Sequence, residues 1–126
     1  MQAQQPRPVA TVARPATVPV ARAVAAPNGA ASHIVVSVSG FQPSPTGPVQ
    51  AVVMARCGGA DVEIGRFGIM PQAPFSAANP AREQRFSLSV PADPGCQKLD
   101  NITVHLVPTL GDGTGAALEI GGAALR

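Results

Sequence analysis

The length, composition and charge of the chain exclude several classes of protein. Its 126 residues suffice for one domain, and four Phe without Trp or Tyr leave a core built mainly from aliphatic side chains. A formal charge of +2 and the lack of about 18 consecutive apolar residues argue against nucleic-acid binding and against a membrane span. We expect a soluble protein whose compartment stays open, with periplasmic or secreted as alternatives, because no signal peptide is visible in the given sequence.

The N-terminal quarter of the chain predicts a flexible linker. Between Pro6 and Pro27, proline recurs among Ala, Val, Thr and Arg, too often for a helix or an inner strand. The first 32 residues hold three Arg and no acid, whereas the rest holds six basic and seven acidic residues. This composition favours an extended, solvated spacer. We therefore assign residues 1–31 to a Pro/Ala/Arg-rich flexible linker and residues 32–126 to one folded domain.

The folded part predicts six to seven short strands, because apolar residues alternate with polar ones and Pro or Gly clusters separate the runs. The runs are His33–Ser39, Val49–Cys57, Asp61–Ile69, Arg85–Val90, Ile102–Val107 and Ala117–Ile120. The alternation shifts at Gly65, which indicates a β-bulge, and Gly111–Gly115 predicts the turn of a hairpin. The predicted fold is all-β: a small antiparallel β-sandwich, immunoglobulin-like or jelly-roll-like, with a disordered N-terminal tail.

Residues with catalytic or metal-binding chemistry are few. His33 and His105 are the two histidines, and a catalytic metal usually needs three protein ligands, so we interpret both as ordinary strand histidines. The glycine run at 111–115 lacks the Lys and the following helix of a phosphate-binding loop, and no Gly-x-Ser-x-Gly elbow occurs. The sequence predicts no catalytic residue, metal ligand or cofactor in this chain.

Two cysteines, Cys57 and Cys96, each neighbour a glycine and lie 39 residues apart. A disulfide between them would stabilise a small core by about 2–4 kcal/mol. An inert pair of reduced thiols is one alternative. A weak Cu(I) site is another, because thiolates are soft ligands, and a copper-delivery site would require His105 to join them. The sequence leaves these interpretations open.

Four segments together resemble the C-terminal domain of the tyrosinase and polyphenol oxidase family. They are Ile64–Pro71, Arg85–Val90, Ile102–Pro108 and Leu118–Ala123. In that family a "G-x-F" strand runs into a Pro-containing loop, and a "V-x-L-V-P" strand precedes a Gly-rich turn and a final "I-G-G" strand. The same elements occur here in the same order, and the resemblance covers about residues 34–126.

The resemblance implies a non-catalytic cover for the di-copper site of a phenol-oxidising catalytic domain, belonging to the same precursor or to a separate chain. Copper would then reside in that partner, and the cover would regulate access or latency. In the family, this domain places an apolar side chain over the mouth of the copper site. Met70 and Phe75 are the candidates for such a plug, because both are apolar residues on a Pro-rich loop.

Two alternatives accompany this interpretation. Met70 and Phe75 would serve equally well as residues that fold back over the core. The whole chain would also suit a stand-alone immunoglobulin-like structural or adhesion module, in a capsid or surface protein, tethered by its Pro-rich arm. Neither alternative makes this chain an enzyme, although the first interpretation makes it part of one.

Overall fold

The computed structural model describes residues 7–22, 33–91, 96 and 99–126. Within them the chain forms eight β-strands and one 3-10 turn, Pro80–Arg82. The strands are β1 Val9–Ala10, β2 Ala16–Arg22, β3 His33–Gln42, β4 Val49–Cys57, β5 Ala60–Gly68, β6 Gln84–Ser89, β7 Asn101–Pro108 and β8 Ala117–Leu125. The prediction of an all-β protein is therefore confirmed.

The strands form a sandwich of two halves joined along one side. One half has the order β5-β4-β7, and the other has the order β8-β3-β6. β2 lies between them, with Ala16–Pro19 antiparallel to β7 and Val20–Arg22 parallel to β8. The sheet is consequently mixed rather than purely antiparallel. The β2–β8 pair is parallel, and the other named strand pairs are antiparallel.

The linker predicted for residues 1–31 needs correction where the structure describes it. β1 pairs with β8, and β2 occupies a central position between β7 and β8. Ala10, Ala16 and Val18 are buried, so this segment contributes to the core despite its prolines. Residues 1–6 and 23–31 of the predicted linker lie outside the described residues. The folded unit thus includes residues N-terminal to the predicted boundary.

The turn at Gly111–Gly115 is a second correction. The sequence predicts a hairpin there, but β7 and β8 belong to different halves of the sandwich and are separated by β2. The turn therefore crosses from one half to the other. Gly111, Gly113 and Gly115 have φ values of 70°, 73° and 83°, which lie in the left-handed region that glycine adopts readily.

The bulge predicted near Gly65 is present. Val53 of β4 pairs with Gly65, and Met54 pairs with Glu63, so Ile64 is the extra residue of β5. A Cβ atom at Gly65 would lie 2.7 Å from Leu88 Cδ2 of β6. The missing side chain lets Leu88 approach the bulged strand.

Aromatic stacking closes the sandwich on the side opposite β2. Phe67 of β5 stacks on Phe86 of β6, with ring centroids 4.1 Å apart and ring planes at 13°. β5 and β6 are the edge strands of the two halves, and the ring pair holds these edges together without pairing them. The result is a barrel-like sandwich whose interior is filled by aliphatic side chains.

The core consists mainly of the small and aliphatic residues that the composition predicts. β3 shows strict alternation at its start, because Ile34, Val36 and Val38 are fully buried while His33 is exposed. Val53, Ile102, Val104, Leu118 and Ile120 supply most of the remaining fully buried volume. Ser39 is the one buried polar residue among those described, and its hydroxyl donates to Glu119 Oε1 at 2.8 Å.

A disulfide between Cys57 and Cys96 ties the end of β4 to the chain that precedes β7. Both residues are buried, at 5% and 1% exposure. The bond closes a loop across 39 residues that includes β5 and β6. A cross-link over such a loop restricts the unfolded chain, which matters for a small core poor in aromatic side chains.

We expect Val18→Asp to lower the free energy of unfolding by about 3 kcal/mol, because it places an unpaired charge at a fully buried position of β2. Thr17→Asp is the matched control, since Thr17 is the exposed neighbour on the same strand. Urea denaturation followed by circular dichroism measures both. Equal, near-neutral effects would show that β2 does not belong to the folded unit.

We expect the double substitution Cys57→Ser and Cys96→Ser to lower the free energy of unfolding by about 2–4 kcal/mol, because it releases a loop of 39 residues in the unfolded chain. Thermal denaturation with and without a reducing agent measures the effect. The reductant should destabilise the native chain and leave the double variant unchanged. A native chain insensitive to complete reduction would contradict the stabilising role of the bond.

Candidate functional site

The connection between β5 and the 3-10 turn carries the most exposed large apolar side chain of the described residues. It runs from Ile69 to Asn79, and its first residue is buried at 3% exposure. Met70 follows at once and is 78% exposed. The apolar side chain thus stands in solvent directly beside a residue anchored in the core. A single exposed apolar side chain is common on protein surfaces, so its significance depends on how the loop beneath it is held.

Gln72 fixes the backbone next to Met70. Its Nε2 donates to the Ile69 carbonyl at 2.8 Å, and its Oε1 accepts from the Val49 amide at 3.4 Å. One side chain therefore connects the loop to its own start and to the first residue of β4. In addition, Gln84 Nε2 donates to the Met70 carbonyl at 3.3 Å. These bonds hold the loop between two strands, and Pro71 and Pro74 restrict its backbone further.

Phe75 anchors the distal part of the loop. Its amide donates to the Phe41 carbonyl at 3.1 Å, and the Phe41 amide donates to the Phe75 carbonyl at 2.9 Å. The two rings lie 6.5 Å apart between centroids and are tilted by 40°. Phe41 is buried, and Phe75 is half-buried against the core. Phe75 thus anchors the loop to β3.

The geometry distinguishes the two plug candidates. Met70 presents an unbranched, flexible apolar side chain to solvent, and Phe75 turns toward the body of the sandwich. The first arrangement suits insertion into an apolar pocket of another molecule, since the backbone beneath Met70 is already ordered and its conformational entropy need not be lost again on binding. Sequence reasoning missed Gln72, Gln84 and Phe41 as supports, because their role depends on contacts distant in sequence.

The predicted strand histidines lie on the surface of the two halves. His105 helps to line a shallow groove of about 570 Å³ on the outer face of β4 and β7, together with Met54, Thr103 and the ion pair of Arg56 with Asp61. His33 begins β3, and its backbone exchanges two hydrogen bonds with Arg126. The structure does not bring the two histidines together.

The disulfide decides among the alternatives for the cysteines. Cys57 and Cys96 are bonded to each other, so neither sulfur is a thiolate available for Cu(I). A delivery site made from both thiolates and His105 is therefore incompatible with this structure. Among the described residues, no three His, Cys, Asp or Glu side chains are grouped closely enough to hold a metal ion.

Asp112 shapes the crossing turn between β7 and β8. Its Oδ1 accepts from the Thr114 amide at 3.0 Å. This backbone hydrogen bond, followed by the hydroxyl groups of Thr114 and Thr46, lowers the pKa of the Asp112 carboxyl from its usual value. Gly113 next to it is buried beneath Val12, whose Cγ2 would lie 2.5 Å from a Cβ at this position. The turn thereby also supports the N-terminal segment.

Comparison of the chain with protein-family models, curated proteins and solved structures gave no match. The resemblance to tyrosinase C-terminal domains consequently stays a prediction that rests on short segments of sequence. Among the described residues, the structure contains no helix of the length and hydropathy required to cross a bilayer. The interpretation of the site therefore depends on the geometry of the loop itself.

We expect the Asp112 carboxyl to titrate below the value of about 4 found for unperturbed Asp. Because the folded-state pKa is lowered, Asp112 stabilises the turn above its unfolded pKa, and this contribution disappears as the pH falls through its folded pKa. NMR titration of the carboxyl carbon measures the pKa, and Asp112→Asn should abolish the local pH dependence of the Thr114 amide shift. A carboxyl that titrates at the ordinary value would contradict the assigned hydrogen bonds.

Proposed function

We propose that this chain is a non-catalytic β-sandwich that covers an apolar pocket on a partner protein, with Met70 as the inserted side chain. The observation that carries this proposal is the 78% exposure of Met70 on a loop held by Gln72, Gln84 and Phe75. An exposed methionine on a disordered segment would have to lose backbone freedom on binding. Here the fold has already fixed that backbone.

The size of the effect follows from the burial of one side chain. Transfer of a Met side chain from water into an apolar pocket is worth about 1.5–3 kcal/mol. If cover and pocket belong to one precursor, the pocket experiences a high effective concentration of the side chain, and this modest energy suffices for occlusion. Cleavage between the two parts would remove that advantage and uncover the pocket.

The resemblance to tyrosinase and polyphenol oxidase C-terminal domains suggests the partner: a di-copper catalytic domain that oxidises phenols. A phenol-binding pocket is apolar and of the size of one aromatic ring, so the thioether side chain of Met70 is a suitable occupant. In this proposal the copper belongs to the partner, and the chain described here supplies access control. The partner would be part of the same precursor or a separate chain.

We also propose an oxidising compartment, periplasmic or extracellular. The buried disulfide between Cys57 and Cys96 supports this location, because structural disulfides persist where thiols are not kept reduced.

The test is to mix a tyrosinase-type catalytic domain with the full chain and to measure the rate of diphenol oxidation. Met70→Ala should weaken suppression of the activity about ten- to a hundredfold in the concentration required, as expected for 1.5–3 kcal/mol of lost burial. Its unfolding temperature should stay near that of the native chain, since the Met70 side chain is 78% exposed.

Leu110→Ala is the matched control, because Leu110 is also a large exposed apolar residue, at 66%, but lies near Gly47 rather than on the Met70 loop. Leu110→Ala should suppress activity as the native chain does. If Met70→Ala suppresses equally well, Met70 is not the plug. If the native chain never suppresses the activity, the chain is not a cover for this class of enzyme.

A stand-alone structural or adhesion module is the second candidate. The observation that favours it is the closed sandwich, in which β2 joins the halves on one side and Phe67 with Phe86 joins them on the other. Such a unit needs no partner to complete its core. If the chain is such a module, its coding sequence should lie beside genes for surface or capsid components. If it is a cover, codons for the six copper-binding histidines of the catalytic domain should lie immediately upstream.

A further inference from the structure

We propose that Met70 is a site of reversible oxidation, and that conversion of its thioether to the sulfoxide by a peroxide abolishes occlusion of the partner's pocket. This inference rests on the proposed cover function and names the reaction that switches it off. The observation that carries it is that one side chain combines an oxidisable sulfur with the greatest exposure, 78%, among the large apolar residues described.

The composition leaves few other side chains for a peroxide to attack. The chain has no Trp or Tyr, and its two cysteines are joined in the disulfide, so no thiol competes for the oxidant. Three methionines remain. Met1 lies outside the described residues, whereas Met54 and Met70 lie within them and can be compared directly.

The fold exposes the two described methionines to different degrees. Met54 lies on β4, which has a paired strand on each side, and it stands opposite Glu63 of β5 and Thr103 of β7. Its side chain is half-buried there, whereas Met70 is largely exposed on its loop. Since oxidation of a thioether requires contact with the dissolved oxidant, Met70 should react first.

The reaction transfers one oxygen atom from the peroxide to sulfur. The sulfur lone pair of Met70 attacks one oxygen of hydrogen peroxide, the O–O bond breaks, and a sulfur–oxygen bond forms. A proton passes from the attacked oxygen to the departing one, which leaves as water. Sulfur is oxidised and the peroxide is reduced, so no further reactant is needed. In the oxidising compartment proposed above, no pool of reduced thiols competes for the peroxide.

The sulfoxide changes the property on which insertion depends. The thioether is apolar, whereas the sulfoxide oxygen is a polar acceptor that an apolar pocket leaves without a hydrogen bond. Oxidation therefore removes the favourable burial and adds a desolvation cost. The concentration of chain required for suppression should rise about tenfold or more, at least as far as Met70→Ala raises it. The pocket shields the inserted sulfur, so the peroxide acts while Met70 is outside the pocket and prevents its return.

The first measurement is a peptide map of the full chain and needs no partner. The chain is treated with hydrogen peroxide, samples are quenched over time, and mass spectrometry follows sulfoxide formation at Met70 and Met54. Met70 should oxidise several-fold faster in the folded chain, and the two rates should converge in denaturant. Oxidation of Met70 no faster than that of Met54 would overturn the assignment of the site. A difference that persists in denaturant would overturn exposure as its cause.

The second measurement tests the effect on suppression. The native chain, Met70→Leu and Met54→Leu are each oxidised, freed of peroxide and mixed with a tyrosinase-type catalytic domain, and each is compared with its own untreated form. The native chain and Met54→Leu should lose suppression of diphenol oxidation about tenfold or more, whereas Met70→Leu should not change, because Leu has no sulfur. Methionine sulfoxide reductases should restore suppression by the native chain. Their reductant alone should not, which controls for reduction of the disulfide.

The unfolding temperature of the oxidised native chain should equal that of the untreated chain, because the modified side chain lies in solvent. Loss of suppression by oxidised Met70→Leu would overturn the proposal, since the sensitive group would then lie elsewhere. So would full suppression by native chain that the peptide map shows to be oxidised at Met70. Failure of the untreated native chain to suppress would instead overturn the cover function, and the peptide map would still decide whether Met70 is the oxidation site.

Discussion

The pairing of β2 with β7 on one side and with β8 on the other is the constraint on which the sandwich depends. The two halves are held together at their opposite edges by side chains alone, through Phe67 and Phe86. Along the near side, β2 gives them a shared hydrogen-bonded strand. Val18 completes this role in the interior, because it is fully buried opposite Ile102. β2 thereby contributes Ala16 and Val18 to the single core that both halves share.

The alternation of residues predicts the strands whose two faces differ in polarity. β4 was predicted with its observed bounds, because an apolar run starts after Pro48 and stops at the glycines that follow Cys57. β2, in contrast, was not predicted from the sequence. The prolines in and around it are typical of a linker, and only the long-range pairing of β2 shows that Pro19 lies where its missing amide hydrogen is tolerated.

The residues of a turn likewise do not predict which strands the turn connects. The glycines of Gly111–Gly115 do form a turn with positive φ angles, and that much could be read from their sequence. Which strands the turn connects in space depends on β2, which separates β7 from β8. In the loop from Met70 to Phe75, too, only part of the structure could be predicted from the sequence. Its residues are apolar in sequence, yet only the position of Phe41 makes Phe75 an anchor and leaves Met70 in solvent.

The Met70 loop and β2 are held in the fold in different ways. The Met70 loop is fastened by side-chain and backbone hydrogen bonds at both ends, so a partner would meet a surface that is already ordered. β2 is held by backbone pairing with β7 and β8 and by the buried side chains of Ala16 and Val18, so it belongs to the core of the sandwich. A rigid loop favours recognition of a different molecule. The strand β2 serves the fold instead, because it joins the two halves of the sandwich.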